Sequence, residues 1–175
     1  VVYGEGHSHL GASLSNLAMV QQDLDRLGEA EKNFSEALAI HVETYGEAHP
    51  ETAIVRNNYG GLLDALERFE ASEAQYARAV EALTETVGAS HWLVGQVRGN
   101  HGWALLQLGH HEAARAELDA AYAILRSELG EGHPRVQEPL RHLIELATSL
   151  GDQAAAEQHR AALARARARA SEPDT

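Results

Sequence analysis

The chain has 175 residues and a formal net charge of −12, with one lysine, Lys32, against thirteen arginines. Cysteine is absent, which excludes disulfides and thiolate metal sites. The acidic balance argues against nucleic acid as a partner, because phosphate binding needs a basic face, and no apolar run approaches the ~20 residues that span a bilayer.

The chain opens on Tyr3-Gly4-Glu5-Gly6-His7, after which Leu10, Leu14, Leu17, Met19, Val20 and Leu24 recur at spacings of three and four. That periodicity predicts a helix near 8–25. A second helix, near 28–44, carries Ala30, Phe34, Ala37 and Leu38. The opening motif then returns as Tyr45-Gly46-Glu47-Ala48-His49, followed by Pro50, where a first helical turn tolerates a missing amide hydrogen. Helices are expected near 50–66 and 69–86. The motif loosens to Val87-Gly88-Ala89-Ser90-His91 before helices near 92–108 and 110–128, and it closes as Leu129-Gly130-Glu131-Gly132-His133 before Pro134 and helices near 134–150 and 152–169. Gly46 and Gly130 should end the preceding helix in the left-handed conformation, and Gly109 and Gly151 should make the tight turn within their units. Pro139 lies inside its predicted helix, where it removes a hydrogen bond and clashes with the preceding turn, so a kink or a late start is expected there. Residues 171–175 read as a polar, disordered tail.

Four occurrences 42 residues apart, without insertions, mark a repeat array. Residues 1–170 therefore read as one array with units near 3–44, 45–86, 87–128 and 129–170, stacked instead of folded round one central core. Leu24, Leu66, Leu108 and Leu150 form one column, and Val20, Leu62, Ala104 and Leu146 another. Small residues fill two more: Ala18, Gly60 and Gly102, and Ala30, Ser72, Ala114 and Ala156. Missing bulk there lets paired helices approach closely. The N-terminal face, residues 1–17, should expose apolar surface, which predicts either a homodimer through the first repeat or fraying there. The last helix instead carries Arg160, Arg165, Arg167 and Arg169 and reads as a solvated cap.

No catalytic constellation is present. His7, His49, His91 and His133 form one repeated column, which points to capping or packing of the following helix. His110-His111-Glu112 lacks a second histidine four residues on, and neither a glycine-rich phosphate loop nor a Gly-x-Ser-x-Gly elbow occurs. No enzyme activity, cofactor or metal is expected.

The columns Leu17-Ala18 with Ala30, Phe34 and Ala37, Tyr59-Gly60 with Ser72, Tyr76 and Ala79, and His101-Gly102 with Ala114, Leu118 and Ala121 resemble the tetratricopeptide repeat. The fourth set, Leu143-Ile144, Ala156, Arg160 and Leu163, is the weakest match. The 42-residue form, with Gly-x-x-His-Pro before the first helix and Asn-x-Gly/Ala within it, is similar to kinesin light chain repeats, a form bacterial proteins also use. The resemblance covers essentially the whole chain. It implies an all-α, right-handed α-α superhelix, a tetratricopeptide repeat solenoid of four helix pairs, whose first helices line a concave groove.

By that resemblance, Asn16, Asn58 and Asn100, with His142 in the fourth unit, would face the groove and pair with the backbone of an extended peptide; the alternative is that each asparagine hydrogen-bonds a neighbouring helix and only holds the stack. Neighbouring columns would contribute Ile54, Gln96 and Glu138 one turn earlier, Met19, Trp103 and Glu145 one turn later, then Asp23 and Gln107. Trp103 is placed to anchor an apolar side chain, though it could equally fill space between units. None of these positions is basic, which argues against capture of a C-terminal carboxylate. The expected role is a non-enzymatic scaffold for a protein or extended peptide, neutral or basic, with neither nucleic acid nor membrane as partner, in the cytoplasm. The alternative is a structural spacer or a self-association or regulatory module of a larger bacterial signalling protein.

Overall fold

The computed structural model describes residues 5–171, with side chains described from residue 9. Among the described residues eight helices follow one another: α1 (Glu5–Asp23), α2 (Leu27–Tyr45), α3 (Pro50–Ala65), α4 (Phe69–Val87), α5 (Trp92–Gln107), α6 (His111–Leu129), α7 (Pro134–Ser149) and α8 (Gln153–Ala170). There is no strand among the described residues. The chain divides into two compact units, Val1–Gly88 and Ala89–Thr175. In the first, α1 pairs with α2 and α3 with α4, α2 lies on α3, and α1 touches α3. The second repeats this plan: α5 with α6, α7 with α8, α6 on α7, and α5 against α7.

The expected columns are what pack. In the first unit Ala18, Ala30, Phe34 and Leu62 are fully buried, with Leu27, Tyr59 and Leu66 against them. The Phe34 and Tyr59 rings stack with centroids 6.0 Å apart. Burial of each such large side chain contributes about 1.5–3 kcal/mol. In the second unit Leu105, Leu106, Ala114 and Leu146 cluster with Trp103, and Leu140, Ala162, Leu163 and Ala166 cluster with Tyr122 and Ile144. The small-residue column works through proximity. A Cβ at Gly60 would lie 2.6 Å from the Tyr76 ring, and one at Gly102 would lie 2.7 Å from Leu118. Glycine there lets each first helix close onto its partner.

The repeated histidine caps the helix that follows it. His49, His91 and His133 each hold an extended backbone conformation, and Nδ1 accepts the N–H of Glu51, Leu93 or Arg135 at 3.2 Å. Nδ1 therefore carries no proton, and the ring hydrogen sits on Nε2. This satisfies one of the amides that a helix start leaves without a partner. Pro50 and Pro134 occupy the next position, where no N–H is needed. The His7 side chain lies outside those described, as do residues 172–175 of the expected disordered tail.

Three details depart from the sequence reading. Gly46 and Gly130, with Gly88, do have positive φ, at 89°, 82° and 94°, but their ψ values of 168°, 154° and 149° are extended, not left-handed helical. That region is open essentially to glycine alone, and it lets the chain run straight into the link before the next histidine. The left-handed turn between paired helices recurs in all four repeats. Gly109 and Gly151 have φ of 75° and 72°, and Asp25 and Glu67 stand at the same register with φ of 59° and 56°. Finally, Pro139 does not delay α7, which begins at Pro134 and runs through it. Only one helical bond is forfeited, to the carbonyl of Arg135 in the exposed first turn, while the buried proline ring fills the core side.

Candidate peptide-binding surfaces

All twelve expected surface residues lie on first helices, and none is fully buried. In the first unit α1 presents Asn16, Met19 and Asp23, all exposed, and α3 presents Ile54 and Asn58, half-buried. Contact between α1 and α3 brings Asn58 to Met19, with Nδ2 3.6 Å from Sδ, and Gln22 Nε2 3.5 Å from the Gly61 carbonyl. The Asn57 amide donates to Asn58 Oδ1 at 3.2 Å. The asparagine is thus oriented by weak neighbours, with part of its surface open.

In the second unit, Gln96 and Asn100 of α5 and Glu138 and His142 of α7 line one narrow cleft with Gly99, Leu125, Arg135 and Pro139. Trp103 stacks on His142 at 4.6 Å between centroids and 27° between planes. This half-buried stack joins α5 to α7, so Trp103 both fills space and offers an aromatic edge. Burial, with Arg141 next to it, pushes the His142 imidazolium down to about 4, so the ring is neutral near pH 7. His142 Nδ1 is buried and has no hydrogen-bond partner among the described residues. Gln107 and Glu145 are exposed on the same two helices.

Sequence reasoning missed Arg135. Its Nε donates to Gln96 Oε1 at 3.0 Å, and its guanidinium lies 4.9 Å from the Trp92 ring centroid. It stands three residues before Glu138 on the same helix face, the spacing that would have exposed it. It places a cation beside Glu138, so this cleft is less acidic than Glu138 and Glu145 alone imply. A second missed network, away from these surfaces, holds Arg56. This residue is 2% exposed, and its side chain is paired with Glu47 and donates to Gln75 Oε1 at 2.7 Å. Forty-two residues on, Arg98 pairs with Glu117 at 3.1 Å. Burial raises the Glu117 carboxyl, but His101 and Arg98 outweigh it and hold the group below the usual carboxylate range.

Among the described residues no group of three or more metal-ligating side chains is assembled, and no helix is long and apolar enough to cross a membrane. No curated protein matches the chain. Among solved structures, BtubC (BKLC) from P. vanneervenii has a TM-score of 0.83 at 24% identity, over 95% of this chain and 67% of that one. The nearly identical TPR-like repeats of a Podosopora anserina protein named after kinesin light chain have a TM-score of 0.74 at 18% identity, over 93% of this chain and 77% of that one. A variant of those repeats gives 0.78 at 18%, over 96% and 89%. The likeness to kinesin light chain repeats holds at the level of the fold. Tetratricopeptide repeat models match residues 9–85 and 95–135, between them more than half of the chain, in the segments where the packed columns lie. Paired helices closed by small residues at a 42-residue interval, and matched by those models, place this chain in the tetratricopeptide repeat family.

Proposed function

We propose that the chain is a non-enzymatic scaffold that holds a protein or an extended peptide along a groove lined by the first helix of each repeat. Tetratricopeptide repeats generally bind proteins or peptides, and that prior supports the reading. The observation that carries it is the accessibility of the asparagine column. Asn16 is exposed, and Asn58 and Asn100 are half-buried. An amide donates and accepts at once, so such a column suits a peptide main chain and is indifferent to most side chains. In this reading Met19, Ile54 and Trp103 take apolar side chains, while Gln96, Gln107 and His142 contribute polar contacts.

The ligand preferred is neutral or basic. Residues 1–88 hold fifteen carboxylates against five basic side chains, and Asp23, Glu138 and Glu145 stand on the proposed surfaces. Exposed charges act mainly on encounter and are screened over about 10 Å at moderate salt, so the preference weakens as salt rises. Neither nucleic acid nor membrane is a partner in this reading, no cofactor is used, and the site of action is the cytoplasm. A second reading, a spacer or self-association module of a larger signalling protein, is favoured by the exposed apolar face of α1.

The test is a titration of the chain against extended peptides of graded charge. Asn58→Ala and Asn100→Ala should each weaken every bound sequence by a similar factor, about fivefold to tenfold. Unchanged affinity in both variants, or tighter binding of acidic than of basic peptides, would overturn the assignment.

A further inference from the structure

The packed cluster of the first unit has a counterpart in the second, and the two differ at one end. Ala30, Phe34 and Leu62 correspond, two repeats on, to Ala114, Leu118 and Leu146, and all six are buried. In the first unit Leu27, which opens α2, and Leu66, which ends α3, pack against that cluster. Glu31 of α2 pairs with Arg68 beside them and ties α2 to the turn after α3. In the second unit the register of Leu27 holds His111, and that of Phe34 holds the smaller Leu118. The register of Leu66 holds Leu150, which is 46% exposed. Arg115 and Asp152 stand where Glu31 and Arg68 would be, but they do not pair. The Asp152 carboxylate accepts the Ala155 N–H at 3.0 Å, and the Arg115 side chain has no ion-pair or hydrogen-bond partner among the described residues. With neither knob nor tie, a cavity of about 650 Å³ remains between α6 and the end of α7, lined by His111, Glu112, Arg115, Ala116, Asp119 and Leu150. Its two walls are helices already packed on each other, and it shares no residue with the Gln96 cleft.

We propose that this slot is a second peptide-binding site, which takes a leucine-sized aliphatic side chain from a partner segment that carries arginine or lysine beside it. The size follows from the first unit, where a leucine occupies the same register and packs on the same cluster. In the second unit the chain supplies the cluster and the exposed Leu150 but, with His111 in place, not the knob. The sign follows from the rim. The carboxylates of Glu112 and Asp119 stand against one guanidinium, that of Arg115, and neither carboxylate has an ion-pair partner among the described residues. Burial of the aliphatic group on Leu150 supplies the affinity, while the exposed charges mainly set the encounter and the sign of the partner. The site lies on α6 and the end of α7, so it stands independently of the asparagine groove. Its volume also suits a compact apolar molecule, which is the competing occupant.

The probe is a randomised peptide library displayed on phage, selected on the full chain after depletion on its Ala116→Arg variant. Ala116 is exposed on α6, so arginine there blocks the slot while the fold is kept, which circular dichroism checks. Enrichment of leucine flanked by arginine or lysine is expected. Titrated by calorimetry, the selected peptides should bind about tenfold or more weakly to Ala116→Arg and to His111→Leu, and unchanged to Asn58→Ala and Asn100→Ala. Glu112→Lys with Asp119→Lys should weaken them too, and more so at low salt. His111→Leu puts the missing knob back, so it should also raise the thermal midpoint by about 2–4 °C without any ligand. Selection that yields no slot-dependent peptide, or peptides rich in acidic residues, would overturn the inference, as would an unchanged midpoint for His111→Leu. So would a wild-type dimer in sedimentation that Ala116→Arg dissolves, since the occupant would then be a second copy.

Discussion

Alanine at Gly60 and alanine at Gly61 should move stability in opposite directions, although the two sites are neighbours in one helix. Each substitution gains about 1 kcal/mol of helix propensity. At Gly61 a new Cβ meets nothing nearer than the Tyr76 hydroxyl at 3.8 Å, so the gain stands. At Gly60 it would lie 2.6, 2.8 and 3.0 Å from three carbons of the Tyr76 ring. That ring cannot swing away freely. It is 1% exposed, and its hydroxyl donates to Asp64 Oδ2 at 2.8 Å while Asp64 also accepts from Ser72. Overpacking costs about 1–3 kcal/mol, and loss of a hydrogen bond to a carboxylate costs about 1.5–3 more if the ring does move. Gly60→Ala should therefore lose about 1–3 kcal/mol net, and the two variants should differ by about 2–4 kcal/mol. Urea unfolding read by circular dichroism measures this as a shift in midpoint at constant slope. Equal midpoints for the two variants, or a more stable Gly60→Ala, would refute the close-approach argument for this column.

Three further outcomes follow from the caps, the turns and the buried histidine. His91→Ala should cost about 1 kcal/mol by removing the Nδ1 acceptor, and His91→Asn should recover most of it, as thermal midpoints would show. Glu67→Gly should stabilise by about 1 kcal/mol, because it relieves a side chain held at φ 56°, and Gly109→Ala should do the reverse; denaturant midpoints decide both. For His142 the folded ring titrates at about 4, below the ordinary histidine value of 6.5. Between those values the unfolded chain holds more protons, so this contribution is full above about pH 6.5 and is lost as pH falls toward 4. The ring is only half withdrawn from solvent, so the loss should stay below about 2 kcal/mol. His142→Phe, which keeps a ring on Trp103, should remove this part of the pH profile, and identical profiles for both proteins would count against it.

The 42-residue interval, read from the chain alone, determined the number of helices, their order and nearly all their ends, because helix periodicity, proline at a first turn and glycine after a last turn act through neighbours in sequence. The histidine column was legible for the same reason: its partner amide is two residues away. What tertiary structure decided involves partners far apart in the chain. Whether Trp103 meets a ligand or a side chain was open in sequence, and packing of α7 on α5 placed His142 on its ring. Arg135 became part of the Gln96 cleft only because α5 and α7 lie side by side and bring together residues 39 apart in the chain. The solvation of Val20 and the complete burial of Leu62 are likewise invisible in a shared column, because burial is set by whether another helix covers that face and not by the residue that occupies it.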